Sequence, residues 1–465
     1  MEKKSNLTKA QRYLFGIGDF CGDMSMSFKT YYWNFFLTSV IFMPLDKLQW
    51  MNGIMSVLGM VLMFFYGIIL DAMPTFKWGH YRSIYLVITP IYAVLVSLAW
   101  WFGAKISNYD VLIWVLLISQ QIFTIFFQII YSGNITMIQV LSKGNETDAN
   151  TLASHRWACI KAAVIVLGFI TQPLLKALGG ADSAMSYALM ATVLAVFSIF
   201  GYLVHFAITK GAEDTTEKTP EEKEAAKKNR VTLSMMVKAL VTNKYLVILL
   251  CANIFTTATS FFFAMYGVYY YNYAVMNPAL YSFYITSTNI FAMIGSLLSD
   301  YMAQKMPLKK VSVITLVLCM VAFAGCKIAG TNAILFTACI CAYQFFAAIN
   351  YPCFIAQYGN CVTYSEWKDG YASRGVIMSV SSWTPTIAGL INGQLGPIIL
   401  RKIGFDATLA TQPASVAPGL INALSLIPLV YYVCAFVIFA FAYTLTADKL
   451  KKMQDEINER KAAQN

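Results

Sequence analysis

Twelve apolar stretches, each long enough to cross a bilayer, succeed one another along this chain. They fall near 12–42, 48–72, 83–104, 110–141, 151–177 and 183–208, then near 238–274, 278–302, 309–330, 332–362, 373–401 and 417–445. A hydrocarbon core about 30 Å thick is crossed by roughly 20 apolar residues in a helix. Backbone groups cannot stay unpaired in lipid, so spanning elements are helices or closed barrels, and runs this long read as helices. An all-α membrane protein with twelve transmembrane helices in two sets of six is expected. Composition agrees: 12% of the residues are charged, against about a quarter in soluble domains, which excludes an ordinary soluble globule. A net charge of +11 would point to nucleic acid in a soluble protein. Here it reflects Lys and Arg kept on cytoplasmic loops, so lipid and not nucleic acid is the expected surround.

Between the two sets lies the longest polar stretch before the tail, Lys210 to Arg230, with Glu213-Asp214-Thr215-Thr216-Glu217-Lys218 inside it. The expected organisation is a six-helix bundle over 1–209, a cytoplasmic central loop over 210–232, a second six-helix bundle over 233–446 and a cytoplasmic tail over 447–465. The tail reads as a charged helix with no special role. One face holds Lys3, Lys4, Lys9, Lys77, Arg82, Lys143, Lys227, Lys228, Arg230, Lys309, Lys310, Lys368, Lys451 and Lys452, the other only Lys47, Lys105, Lys176, Lys327, Arg401 and Lys402. Basic residues favour the cytoplasmic side, so a multi-pass protein of the plasma (inner) membrane is expected, with both termini in the cytoplasm. The basic start Met1-Glu2-Lys3-Lys4 is not followed by a short apolar run with a cleavage site, so the first helix reads as a retained span. The ten cysteines lack metal spacing and His80, His155 and His205 stand alone, so neither metal nor cofactor is expected.

The first span carries charge. Phe15-Gly16-Ile17-Gly18-Asp19-Phe20-Cys21-Gly22-Asp23 runs on to Lys29, and a charge at the centre of a membrane helix costs at least about 2.5–3.5 kcal/mol. Such residues face a wet cavity or a partner. Asp19 and Asp23, four residues apart, share one helix face; Lys29 lies about 9 Å further along and roughly a third of a turn away. The helix reads as pore-lining, with the alternative left open that Asp19 is simply solvated at the cytoplasmic end.

An internal echo supports two related halves. The second span ends Gly67-Ile68-Ile69-Leu70-Asp71 and is followed by Lys77-Trp78-Gly79-His80-Tyr81-Arg82. The eighth ends Gly295-Ser296-Leu297-Leu298-Ser299-Asp300, then Lys305 and Lys309-Lys310. The glycine permits close helix approach, and the acid can pair with a basic residue at the cytoplasmic rim. Two six-helix halves with this feature resemble the major facilitator superfamily. Within it, the first helix, the Lys77–Arg82 loop and Thr363-Tyr364-Ser365-Glu366-Trp367-Lys368-Asp369-Gly370 resemble the glycoside–pentoside–hexuronide:cation symporters, of which melibiose permease is the best known. The pattern covers nearly the whole chain.

That resemblance implies a secondary carrier, a monomer, that imports a sugar or glycoside with a cation. It implies that an acid on helix one, an acid on helix four and an arginine on helix five hold the sugar, and these map to Asp23, Gln128 and Arg156. The second acid is here an amide. Lys161 lies deeper than Arg156 on the same helix, and either cation could instead be an anchor at the bilayer edge. Tyr131, Trp33, Tyr351 and Trp383 are candidates for stacking on a sugar face, each with helix packing as the alternative. The acids and bases at the cytoplasmic rim, Asp71, Lys77, Arg82, Asp300, Glu366 and Lys368, are expected to form a latch on that side. Sodium-using members carry paired acids on helix two, where Gly59 and Met63 stand here, and Ser56 to Tyr66 contains no acid. A hard cation needs oxygen ligands, so a proton is the expected partner ion, with Asp19 and Asp23 as its carriers. Counting Asp23 against Lys29, Arg156 and Lys161 leaves a positive cavity, and an arginine fork suits a planar carboxylate. An anionic sugar is expected, a uronide before a sulfonated sugar, with a neutral glycoside as the alternative should Lys29 pair with an acid. No Walker loop or nucleophile constellation occurs, so an enzyme is not expected; a glycosyl-lipid enzyme and a non-transporting sensor remain the rival classes.

Overall fold

The computed structural model describes residues 7–63, 78–79, 81–142, 146–213, 233–369, 374–381, 383–407, 409 and 411–464. The regular elements among them are all helices. By contacts between its residues the chain divides into two compact units. One comprises Met1–Thr219, Asn277–Thr286 and Leu400–Gln412, the other Pro220–Met276, Ser287–Ile399 and Pro413–Asn465.

The first unit holds α1 (Lys9–Leu14), α2 (Ile17–Phe35), α3 (Leu45–Met63), α4 (Arg82–Lys105), α5 (Tyr109–Ser142), α6 (Glu146–Ala177) and α7 (Ala184–Ile208). Its packing is set by small residues, because lipid supplies no hydrophobic drive between helices and close backbone approach takes its place. Gly18 and Gly22, one turn apart on α2, meet α7. A Cβ at Gly22 would stand 2.7 Å from Tyr202 Oη, and one at Gly18 would stand 2.7 Å from the His205 ring. Further along the same seam Ser25 Oγ and Ser198 Oγ lie 3.1 Å apart. Beyond them Phe28, Trp100 and Tyr187 stack, Phe28 to Trp100 at 4.7 Å between centroids. Trp33 packs edge-on against Trp100 and is buried, so its ring serves helix packing.

The second unit holds α8 (Leu233–Thr242), α9 (Lys244–Tyr269), most of α10 (Ala279–Lys305), α11 (Leu308–Ala329), α12 (Ala333–Asp369), α13 (Arg374–Ser381), most of α14 (Trp383–Lys402), α15 (Val416–Val437) and α16 (Ala447–Gln464). Buried amides tie these helices together. Asn392 Nδ2 donates to the Ala258 carbonyl at 2.6 Å, and Tyr266 Oη donates to the Asn392 carbonyl at 3.1 Å. Gln357 Nε2 reaches Ser312 Oγ at 3.0 Å.

Eight helices among the described residues are long and apolar enough to cross a membrane: Arg82–Lys105, Tyr109–Ser142, Thr151–Ala177, Ala184–Ile208, Lys244–Ala274, Leu308–Ala329, Ala333–Lys368 and Val416–Ala442. Four of the expected twelve segments fall short of that measure, each for a visible reason. The first carries three ionisable groups in α2. Only 19 residues of the second are described in α3. The eighth, α10, is loaded with Ser, Thr and Asn around Ser282–Asn289, and the eleventh is described in two stretches, α13 and α14, with position 382 outside the described residues.

The glycine of the second internal echo does what its spacing suggests. A Cβ on Gly295 would overlap the backbone carbonyl of Phe345 on α12, so α10 and α12 touch through main chain. Gly295→Val is expected to destabilise the protein by at least about 1–3 kcal/mol, the usual cost of overpacking. Thermal unfolding of purified protein checks this. A midpoint unchanged from the parent would show that the two helices can part freely there.

The tail differs from its plain sequence reading. Helix α16 docks on the end of α12: Trp367 Nε1 donates to Glu456 Oε2 at 2.5 Å and Arg460 Nη1 donates to the Trp367 carbonyl at 2.7 Å. Ile457, the apolar residue between them, is 3% exposed. The arginine satisfies a carbonyl that the helix end leaves without an intrahelical partner.

Candidate functional site

The charged residues of α2 are the starting point for a candidate site within the first unit. Asp19 was open to a solvated reading in the sequence; the structure buries it to 5% exposure. Its carboxylate forms an ion pair with Arg156 of α6, Nε to Oδ1 2.9 Å, and accepts from Asn134 Nδ2 of α5 at 3.0 Å. Arg156 is 4% and Asn134 0% exposed, so Arg156 is no bilayer-edge anchor. Its guanidinium lies 4.9 Å from the centre of the Tyr131 ring, which takes up one face of that candidate sugar platform. A paired buried charge is tolerable where an unpaired one is not.

Helix α2 can bring Asp19 to this place because glycines flank it. Gly18 lets the helix close on His205, whose ring lies 4.9 Å from Phe15 and whose Nε2 meets the Phe15 carbonyl and the Gly18 N–H. His205 is thus a tie between α7 and the start of α2. Around the pair, Asp19 Oδ2, Asn134 Oδ1 and Tyr85 Oη are buried without a hydrogen-bond partner among the described residues. Each is a place where a hydroxyl group would gain a bond.

One turn further on, Asp23 is half-buried and accepts from Ser27 Oγ at 2.9 Å. It lies within electrostatic reach of Lys161 and Arg156, yet forms an ion pair with neither among the described residues. Gln128, also half-buried, has no hydrogen-bond partner among the described residues. Lys161 is half-buried and feels Asp23.

Lys29 stands apart. Its ammonium donates to Gln120 Oε1 of α5 and lies 4.2 Å from the centre of the Phe123 ring. The sequence alternative that it pairs with Asp19 or Asp23 is not what the structure shows, since Arg156 takes Asp19 and Ser27 takes Asp23. Trp383 lies on α14 in the second unit and is half-buried; Tyr351 is exposed on α12.

Of the expected latch, Asp71 and Lys77 lie outside the described residues, as does the side chain of Asp300. Arg82 is buried; its Nε donates to the Phe206 carbonyl at 2.9 Å and its guanidinium lies over the Phe206 ring. Glu213 accepts from the backbone N–H of Tyr81 and Arg82, at 2.8 and 3.2 Å, so an acid neutralises the open N-terminus of α4. Lys368 Nζ donates to the Thr242 carbonyl at 2.7 Å, and Glu366 follows Ser365 on α12. Each of these contacts stays inside one unit.

Long apolar helices with ion pairs and lone cations between them make a polytopic membrane protein built to admit polar matter, the class of transporters. The model described as MFS/sugar transport protein matches residues 14–447, and the chain belongs to that family. The isoprimeverose transporter of Lactiplantibacillus pentosus is 21% identical over 99% of this chain and 94% of its own. A protein of Escherichia coli (strain K12), provisionally named a sulfoquinovose importer, is 26% identical over 70% of this chain and 67% of its own. Among solved structures, a D-xylose-proton symporter superposes with TM-score 0.63 at 12% identity, covering 94% of this chain and 99% of that one; this likeness shows the fold.

Proposed function

We propose that the protein is a secondary carrier importing a sugar or glycoside by alternating access, with twelve spans in two six-helix halves and both termini cytoplasmic. The observation that carries this reading is the charged set inside the first unit: the buried Asp19–Arg156 pair with Asn134, and beside it Asp23, Lys161 and Lys29, which keep part of their surface open. A spanning helix keeps such groups only where they face water or a substrate. Asp23 and Gln128 offer acceptors to sugar hydroxyls, and the buried orphan atoms near Asp19 offer more. The rim residues Asp71, Lys77, Arg82, Asp300, Glu366 and Lys368 serve cytoplasmic closure in this reading.

The substrate is an anionic sugar. Two carboxylates face three cations, and Arg156 is matched by Asp19, so one positive charge remains. The relative named for sulfoquinovose is in keeping with this. Asp19 engages Arg156 at Nε and balances its charge, which weakens the preference for a planar carboxylate and puts a sulfonated sugar level with a uronide. The neutral-glycoside reading is supported by the relative named for isoprimeverose, and competition by neutral glycosides tests it.

The coupling ion is a proton. Gly59 stands on α3 with nothing near enough to touch an added Cβ, where a sodium site would need an oxygen ligand. Uptake of labelled sugar into vesicles is expected to be unchanged when choline replaces sodium at fixed pH and potential. Adding substrate to lightly buffered vesicles is expected to raise the external pH as protons enter with it. A steep dependence on sodium, with no movement of protons, would overturn this coupling.

A further inference from the structure

Lys29 is a cation of the site that the rest of the site does not explain. Arg156 has Asp19, and Lys161 has the field of Asp23. Lys29 has an amide oxygen, Gln120 Oε1, and the π face of Phe123. Neither is an anion, and no carboxylate forms an ion pair with it among the described residues. A buried or half-buried ammonium short of countercharge is costly in a low-dielectric site. The side chain nevertheless keeps part of its surface open within a helix that packs by its glycines on one side. On a spanning helix, a lysine is kept where it faces an aqueous cavity or a partner and not lipid.

Its neighbours also fix its aim. Gln120 takes one N–H and the Phe123 ring attracts the charge from one side. Two N–H donors of the ammonium remain for a ligand. Asp23, where the hydroxyls would bind, lies six residues back, about 9 Å along the axis. A sugar held by its hydroxyls at Asp23 would reach Lys29 only with a substituent at its far end.

Resting on the anionic-sugar reading above, we propose that Lys29 is the anion-recognising residue of the site, receiving the carboxylate or sulfonate of a substrate whose hydroxyls lie at Asp23. Arg156 then serves to fix Asp19 and does not touch the anionic group. An ammonium accepts either group, since it is a point charge and not a planar fork.

The test uses the purified full-length chain and matched gluco- and galacto-configured glycosides in three forms: neutral, 6-carboxylate and 6-sulfonate. In the parent, an anionic form is expected to bind at least about tenfold tighter than the neutral one. Lys29→Gln and Lys29→Met are each expected to bring that ratio to about one while neutral affinity stays within about twofold. Lys29→Arg is expected to keep the preference. A purely structural Lys29 would weaken all three forms together and leave the ratio intact, and that result overturns the proposal while the anionic-carrier reading stands. A parent that prefers the neutral form removes both the anionic reading and the role of Lys29, though the carrier remains. If no glycoside in any form is bound or taken up, the carrier reading falls and this inference with it. Whether the carboxylate or the sulfonate gives the larger ratio identifies the anionic group.

Discussion

Asp19→Asn is expected to cost the protein about 3–5 kcal/mol of stability, the usual effect of removing one partner from a buried ion pair. The side chain of Arg156 is 5% exposed and its Nε lies 2.9 Å from Asp19 Oδ1. Asparagine preserves the shape and an acceptor for Asn134, so the loss isolates the charge. The guanidinium would keep the Tyr131 ring, which is too weak a partner to offset an uncompensated cation. The double variant Asp19→Asn/Arg156→Gln is expected to regain most of the stability, because the pair is removed together. Chemical or thermal unfolding of the four proteins closes the cycle. If Asp19→Asn alone melts with the parent, the two charges are not coupled, and the buried pair does not organise this end of the site. If the double variant melts like the parent yet no longer moves protons with its sugar, the pair belongs to coupling as well as to structure.

The sequence reading singled out α2 because charges in an apolar run cannot hide. Asp19, Asp23 and Lys29 stood out against their neighbours, and the glycines around them carried the family resemblance. It could not tell which acid Arg156 would take. Asp19 and Asp23 are one turn apart on a single face, so helix periodicity is indifferent between them. Tertiary placement decides, through Asn134 on α5 and the close seam that Gly18 and Gly22 make with α7. Neutral polar residues were the harder loss. Gln120 and Asn134 are cheap enough in a helix to pass unremarked, and their importance lies in what they face. Trp33 and Tyr131 showed the converse difficulty, since an aromatic side chain reads the same whether it packs on Trp100, holds an arginine or waits for a sugar.

The tail and the rim show the same limit from another side. Charge runs read as solvated surface, and most of α16 is that, but one isoleucine among charges, Ile457, marks the buried contact. Glu213 lay in what reads as a loop, yet its carboxylate caps α4. Capping by a residue more than a hundred positions away leaves no local pattern to find.

Asp23→Asn is expected to weaken binding of every glycoside by about a hundredfold. Hydrogen bonds to a charged group contribute about 1.5–3 kcal/mol each, and about 1.4 kcal/mol is a factor of ten. Asp23 accepts one bond from Ser27 and has further lone pairs for hydroxyls. Asparagine retains one acceptor oxygen but turns the other into a donor and removes the charge. The sign of the side effect is also fixed: taking a negative charge from the site favours an anionic substrate over a neutral one. The anionic-to-neutral ratio should therefore rise in Asp23→Asn, whereas it falls in Lys29→Gln. Opposite movements of one ratio, measured on the same set of glycosides, separate a residue that holds hydroxyls from one that holds the anion. Melting each variant alongside shows that the protein is folded. If Asp23→Asn binds the neutral glycoside within about twofold of the parent, the carboxylate holds no hydroxyl, and the Ser27 contact is then its structural role on α2.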